Sequence, residues 1–184
     1  MDQTSTIRDH TMFRVILKGM SHPGKVYCLP VFTGEGPSID DLLGCLMDNE
    51  VCFAVIDDRN LETVLARHTN SRQASSEDAD YIIASKGSTL GKLGGFKRGS
   101  LEYPDTGATI IYLVEELSEA KGGIVLSGPG VKGTASLRIT GLDPGELQLL
   151  REVNSEFPLG VDAIFLDRCG NIACIPRSSQ IGVN

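Results

Sequence analysis

Two unbroken apolar runs, Val51-Cys52-Phe53-Ala54-Val55-Ile56 and Thr109-Ile110-Ile111-Tyr112-Leu113-Val114, constrain this chain more than any other feature. A strand with one wet face alternates apolar and polar residues; these do not, so both of their faces are predicted to be buried. Tyr81-Ile82-Ile83 is a shorter run of the same kind. Val26 to Leu29 and Ile124 to Leu126 read as short strands. Leu137 and Ile139 alternate with Ser136, Arg138 and Thr140, which predicts a strand with one exposed face. Val161 to Leu166 and Ile172 to Ile175 read as strands joined by a hairpin-like turn over Asp167 to Asn171. Some of these pairs lie too close together for helical crossovers. The fold class expected is therefore α/β with a mixed sheet and helices packed on it.

Phe13, Ile16, Leu17 and Met20 fall on one face of a helix over about 7–20, which Ser21-His22-Pro23-Gly24 stops. Ser38 is placed to cap a second helix, with Asp40 and Asp41 in its first turn and Leu42, Leu43, Leu46 and Met47 on its apolar face. Leu61, Val64 and Leu65 suggest a third helix. Asp143-Pro144-Gly145-Glu146 reads as a helix opening, with a cap, a proline at the first position and an acid three residues after the cap. Leu147, Leu150 and Val153 then face inward. The stretch 70–80 is the least structured, and 87–99 reads as a loop with a broken helical turn. A single domain over 1–184, with an ordered core over about 7–179, is expected.

The chain has 184 residues, enough to bury a core without metal or disulfide staples. It has no Trp and 5% aromatic residues, so the core must come from Leu, Ile, Val and Ala. Its 17 basic and 24 acidic residues give a net charge of −7. That argues against a nucleic-acid binder and against a polybasic membrane anchor, though not against a local anion site. No apolar stretch approaches the roughly 18 residues of a membrane helix, and the first ten residues lack an apolar signal core. A cytoplasmic location follows as an expectation. The five cysteines, Cys28, Cys45, Cys52, Cys169 and Cys174, form no C-x-x-C pair and read as free thiols.

Candidate chemistry is sparse. Gly87-Ser88-Thr89-Leu90-Gly91-Lys92 is one residue short of a phosphate-binding loop, and Leu93 stands where a magnesium-binding hydroxyl is needed. An ordinary loop is the better reading. Ser127-Gly128-Pro129-Gly130-Val131-Lys132-Gly133 follows a strand, and its amides together with Lys132 offer an anion nest, but a rigid turn that redirects the chain is the better reading. None of Lys18, Lys25, Lys86, Lys92, Lys97, Lys121 and Lys132 reads as a buried Schiff-base lysine. The three histidines, His10, His22 and His68, are scattered, and no zinc spacing or G-x-S-x-G elbow occurs. Cys169 and Cys174 read as small apolar fillers. Tyr103, Asp105, Asp162 and Arg177 lie at predicted strand ends, where α/β folds place sites. The better reading is structural, with Asp105 and Asp162 capping turns and Arg177 paired to either. The ligand-binding candidates are thus Tyr103, Asp105, Ser127, Gly128, Gly130, Lys132, Asp162 and Arg177. No catalytic residue, metal or cofactor is expected.

Phe13-Arg14, Met20-Ser21-His22-Pro23-Gly24, Gly99-Ser100-Leu101-Glu102-Tyr103-Pro104-Asp105, Leu126 to Gly130, Phe157-Pro158-Leu159-Gly160-Val161-Asp162 and Pro176-Arg177, in that order, resemble the PhnH family over about 13–179. His22 stands where the family pattern has arginine, and 91–99 is less typical. The resemblance implies a fold like the large domain of pyridoxal-phosphate-dependent transferases without the cofactor. It also implies a homodimer in isolation and a place beside PhnG, PhnI and PhnJ in the carbon–phosphorus lyase core complex. That complex makes ribose 1-phosphonate 5-triphosphate from a nucleoside triphosphate and an alkylphosphonate. Its radical iron–sulfur chemistry belongs to PhnJ, and this chain lacks the cysteine cluster such a centre needs. An accessory subunit near a phosphate- or phosphonate-bearing ligand is the expected role. A nucleotide- or pyridoxal-dependent transferase and a stand-alone small-molecule binder are the alternatives.

Overall fold

The computed structural model describes residues 3–32 and 39–182. In chain order the elements are α1 (Gln3–Ser21), β1 (Tyr27–Cys28), α2 (Ile39–Leu46), β2 (Cys52–Ile56), α3 (Arg59–His68), β3 (Arg72–Gln73), β4 (Tyr81–Ala84), β5 (Thr109–Leu113), β6 (Glu116–Ser118), β7 (Ile124–Ser127), β8 (Ala135–Thr140), α4 (Glu146–Val153), β9 (Asp162–Leu166), β10 (Asn171–Ile175) and β11 (Gln180–Gly182). Short 3-10 turns lie at Leu93–Gly95, Pro104–Thr106 and Asn154–Glu156.

Seven strands form one sheet in the order β1-β10-β9-β5-β4-β2-β3. β3, β2, β4, β5 and β9 run parallel, while β10 is antiparallel to both β9 and β1. The mixed α/β sheet expected from the apolar runs is thus present. Alternate residues of each central strand enter different cores. Ala54, Ile82, Ile110, Tyr112, Ala163, Phe165, Ala173 and Ile175 point to one side. Phe53, Ile83, Ile111, Ile164, Ile172 and Cys174 point to the other, against Met12, Ile16, Leu42, Leu43 and Leu65 of α1, α2 and α3. Burial on both faces is what makes these strands apolar throughout. In the first core the rings of Tyr112 and Phe165 stack at 5.1 Å.

A second, four-stranded antiparallel sheet, β11-β7-β8-β6, covers that first face together with α4. The sequence pattern carries no sign of its separation from the main sheet. β6 and β11 are three residues each, too short for an alternation signal.

Three expectations need correction. The inward face of α1 is Met12, Ile16 and Gly19, whereas Phe13 and Leu17 are about half exposed. A Cβ on Gly19 would come within 2.8 Å of Cys174 Sγ, so glycine lets α1 lie close on β10. The period was right and the phase was off by one residue, because Gly19, with no side chain, hid the true contact stripe. Next, α4 begins at Glu146, with Gly145 as its cap and no side-chain cap bond. Asp143 Oδ1 instead accepts from the Gly145 amide at 2.9 Å, and Glu146 turns into the core. Finally, Cys174 is a buried filler, its thiol pushed up to about 12 by burial and then by Asp162, but Cys169 is exposed in the β9–β10 turn. The predicted cap Ser38 lies outside the described residues.

Candidate functional site

Arg177 leaves the end of β10 and turns back over the start of β9. Its Nε and Nη2 donate to Asp162 Oδ2 at 3.1 and 2.5 Å, and its backbone N–H donates to Asp162 Oδ1 at 2.8 Å. Nη1 and Nη2 reach further, to the carbonyls of Pro104 at 2.5 Å and Gly107 at 3.5 Å. One planar guanidinium therefore ties three segments that are far apart in sequence, which a lysine could not do. Gly107 has to be glycine, since a Cβ there would sit 2.5 Å from both Arg177 Nη1 and the Gly160 carbonyl. Asn154 closes the knot by exchanging two hydrogen bonds with the Val161 backbone, at 2.8 and 3.0 Å.

Of the predicted site residues, Asp162 and Arg177 meet directly, and Arg177 chooses Asp162 rather than Asp105. Tyr103 and Asp105 flank the Pro104 carbonyl that Arg177 holds, but both are exposed. The knot sits at the amino ends of β5 and β9. Ligand crevices of open α/β sheets lie outside the carboxyl ends. The knot reads as a brace that fixes the 99–107 loop, with its polar atoms committed to each other.

Ser127, Gly128, Gly130 and Lys132 lie on the turn between β7 and β8. Ser127 Oγ donates to Gln180 Oε1 at 3.4 Å, and a Cβ on Gly128 would stand 3.0 Å from the Ser178 carbonyl. Gly130 packs against the Ser21 carbonyl at the end of α1. His22, Lys25, Lys121 and Lys132 line a hollow of about 490 Å³ between the two segments. Lys25 is already paired with Glu119 at 2.7 Å, which raises the lysine pKa and lowers that of the carboxyl through their hydrogen bond.

The phosphate-loop-like segment has another purpose. Glu146 is 1% exposed. It accepts from the Thr89 amide at 2.7 Å, the Thr89 hydroxyl at 2.8 Å and the Tyr112 hydroxyl at 2.7 Å. Burial, then the nearby carboxylate, pushes the Tyr112 hydroxyl well above its usual pKa of 10.0. The amide that a phosphate would need is thus occupied by the protein itself. The sequence did hold a signal for this network: a tyrosine in a fully buried strand needs a partner for its hydroxyl.

Six of the seven lysines considered above as Schiff-base candidates are exposed. The seventh, Lys97, is half-buried and paired with Asp80, which also accepts from the Cys52 amide at 2.9 Å. Burial works to raise the Asp80 carboxyl, but the bonds from Lys97 and Cys52 outweigh it and leave it lowered. Among the described residues no three His, Cys, Asp or Glu side chains gather as a metal site, and no helix is long and apolar enough to cross a membrane.

The brace is built from the 99–107, 157–162 and 176–177 segments, and the glycine turn is locked to the end of α1, so the motifs that carry the family resemblance are structural neighbours. The chain belongs to the PhnH family, whose model, "Bacterial phosphonate metabolism protein (PhnH)", matches residues 3–182. It is 31% identical over 176 residues to the "Putative C-P lyase subunit protein HtxG" of Stutzerimonas stutzeri, covering 96% of this chain and 87% of that one. It is 25% identical over 179 residues to the "Alpha-D-ribose 1-methylphosphonate 5-triphosphate synthase subunit PhnH" of Rhizobium meliloti (strain 1021), covering 93% and 88%.

Proposed function

We propose that this chain is a subunit of a carbon–phosphorus lyase assembly that contributes to forming ribose 1-phosphonate 5-triphosphate from a nucleoside triphosphate and an alkylphosphonate, without turnover of its own. The observation that carries this is the match of nearly the whole chain to a family and to relatives whose names describe subunits. The commitment of its polar clusters to internal bonds agrees with it. PhnG-, PhnI- and PhnJ-type chains are the partners in this reading, the isolated protein is a homodimer, and the location is cytoplasmic. The likeness to the large domain of pyridoxal-phosphate-dependent transferases is part of the same proposal. It is supported by a seven-stranded sheet in which β10 alone runs against the rest. Ser127, Gly128, Gly130 and Lys132 are the ligand-side candidates that remain accessible, while Asp162 and Arg177 hold Tyr103 and Asp105 in place.

The test is coexpression with those three partner chains followed by size-exclusion chromatography. Co-elution in one high-mass peak is expected. Elution of this chain apart from an assembled complex of the other three refutes the proposal.

A further inference from the structure

Helix α1 turns a face to solvent that the packing of this chain does not use. Phe13 and Leu17, one turn apart, are 50% and 53% exposed. Residues four apart share a ridge on a helix. The neighbouring ridge is basic along its whole length: His10, Arg14 and Lys18, continued by His22 just past the helix end, all exposed. Arg14 and Lys18 form no ion pair or hydrogen bond among the described residues, whereas Arg8, elsewhere on the same helix, pairs with Asp41. Asp9 is the only acid in α1; it is half-buried towards α2, where Cys45 Sγ donates to its backbone carbonyl at 3.2 Å. Beyond His22 the face runs into the hollow lined by Lys121 and Lys132.

The charge is the informative part. The chain carries −7 overall, so cations gathered on one face and left without carboxylates run against its average. The helix dipole accounts for Lys18, in the last turn of α1, but Arg14 lies too far back to feel it. Two other features carry less. The cleft between the end of α4 and β11 is lined by groups already bonded to one another, Arg177 and Asn154 among them. The braced loop exposes Leu101 and Tyr103, but Glu102 and Asp105 stand there beside the Arg98–Glu156 pair, so its rim carries both signs and selects no partner.

We propose that this face of α1 docks an acidic segment of a different polypeptide, with Phe13 and Leu17 packing on its apolar side chains and Arg14 and Lys18 meeting its carboxylates. An aromatic anchor beside cations is the composition of an interface centre with a charged rim. The −7 of the whole chain repels an acidic partner elsewhere, which confines the contact to this one face. A second copy fits less well, because pairing the face with itself sets Arg14 and Lys18 against like charges. Phosphate backbones need the cations alone and leave Phe13 and Leu17 without a role. In the assembly proposed above the acidic segment belongs to one of the partner chains, and that identification rests on the proposed function.

Biolayer interferometry of the full-length chain on an immobilised assembly of the PhnG-, PhnI- and PhnJ-type chains tests the face. The parent is expected to bind, with an association rate that falls as salt is raised. Arg14→Glu combined with Lys18→Glu is expected to weaken binding about a hundredfold, roughly tenfold for each reversed charge, and to remove the salt dependence. Phe13→Ala is expected to weaken it by about tenfold, chiefly by faster dissociation. Both changes fall on exposed side chains, and the melting temperature is expected to stay within about 2 °C of the parent. Unchanged binding in both variants overturns the docking face and leaves the assembly role standing. No binding by the parent overturns the assembly role and the docking face together. Sedimentation of the lone chain and gel shift with a single-stranded DNA oligonucleotide cover the other occupants. A homodimer split by the charge reversal gives the face to a second copy, DNA retention abolished by it gives the face to nucleic acid, and either result overturns the proposal.

Discussion

Replacing Glu146 with Ala should be among the most destabilising single changes in this protein. The carboxylate is 1% exposed and accepts three bonds of 2.7–2.8 Å, from the Tyr112 hydroxyl, the Thr89 amide and the Thr89 hydroxyl. Truncation leaves those three donors in the core without an acceptor. Each costs about 1–3 kcal/mol, and partial relaxation of the loop at the half-buried Ser88 and exposed Leu90 that flank Thr89 brings the sum to about 3–5 kcal/mol. A chain of this size loses about 2–4 °C of melting temperature per kcal/mol, so a drop of roughly 6–20 °C is expected. Tyr112→Phe removes one donor and leaves the other two bonds intact, and should cost about 1–2 kcal/mol. Urea unfolding followed by circular dichroism, with calorimetry for the melting temperature, reads both. A Glu146→Ala midpoint within about 1 kcal/mol of the parent refutes the claim that this network holds the 87–91 loop on α4.

Three further outcomes follow from the same packing. The Tyr112 hydroxyl has a raised pKa in the folded state, so its contribution is complete below its unfolded value of 10.0 and is lost as pH rises beyond it; the parent should lose more stability between pH 9 and 11 than Tyr112→Phe, measured by urea midpoints. Arg177→Lys keeps the charge but loses the fork that spans Asp162, Pro104 and Gly107, and should cost about 2–4 kcal/mol with increased proteolysis in 99–107. Gly19→Ala should destabilise by about 1–2 kcal/mol despite alanine's better helix propensity, because the new Cβ meets Cys174 Sγ at 2.8 Å; adding Cys174→Ala should recover part of that loss in a double-mutant cycle.

The central strands of the main sheet are legible because they are buried on both faces and therefore write themselves as apolar runs; β3, two exposed polar residues at the sheet edge, carries no such signal. The small sheet is not legible either, since β6 and β11 gain their place from pairing with β8 and β7 rather than from any pattern of their own. The helix faces were legible in period but not in phase: Gly19, the residue nearest the sheet, contributes no hydrophobic signal. At the site, proximity was the hidden quantity. Nothing in the sequence said that Arg177 would reach back 73 residues to Pro104, although an arginine and an aspartate at strand ends made a pair a fair expectation. Glu146 was misjudged because its position fitted a capping box. Only the placement of Tyr112 across the core turns it inward.

The central claim is that this chain works as a part and not as an enzyme by itself. Phosphorus NMR of methylphosphonate with ATP, in mixtures of the proposed partner chains with and without this one, tests it most directly. The account predicts no change in the methylphosphonate signal with this chain alone, conversion by the complete mixture, and loss of conversion when this chain is left out. Conversion by the lone chain, or full conversion in its absence, contradicts it.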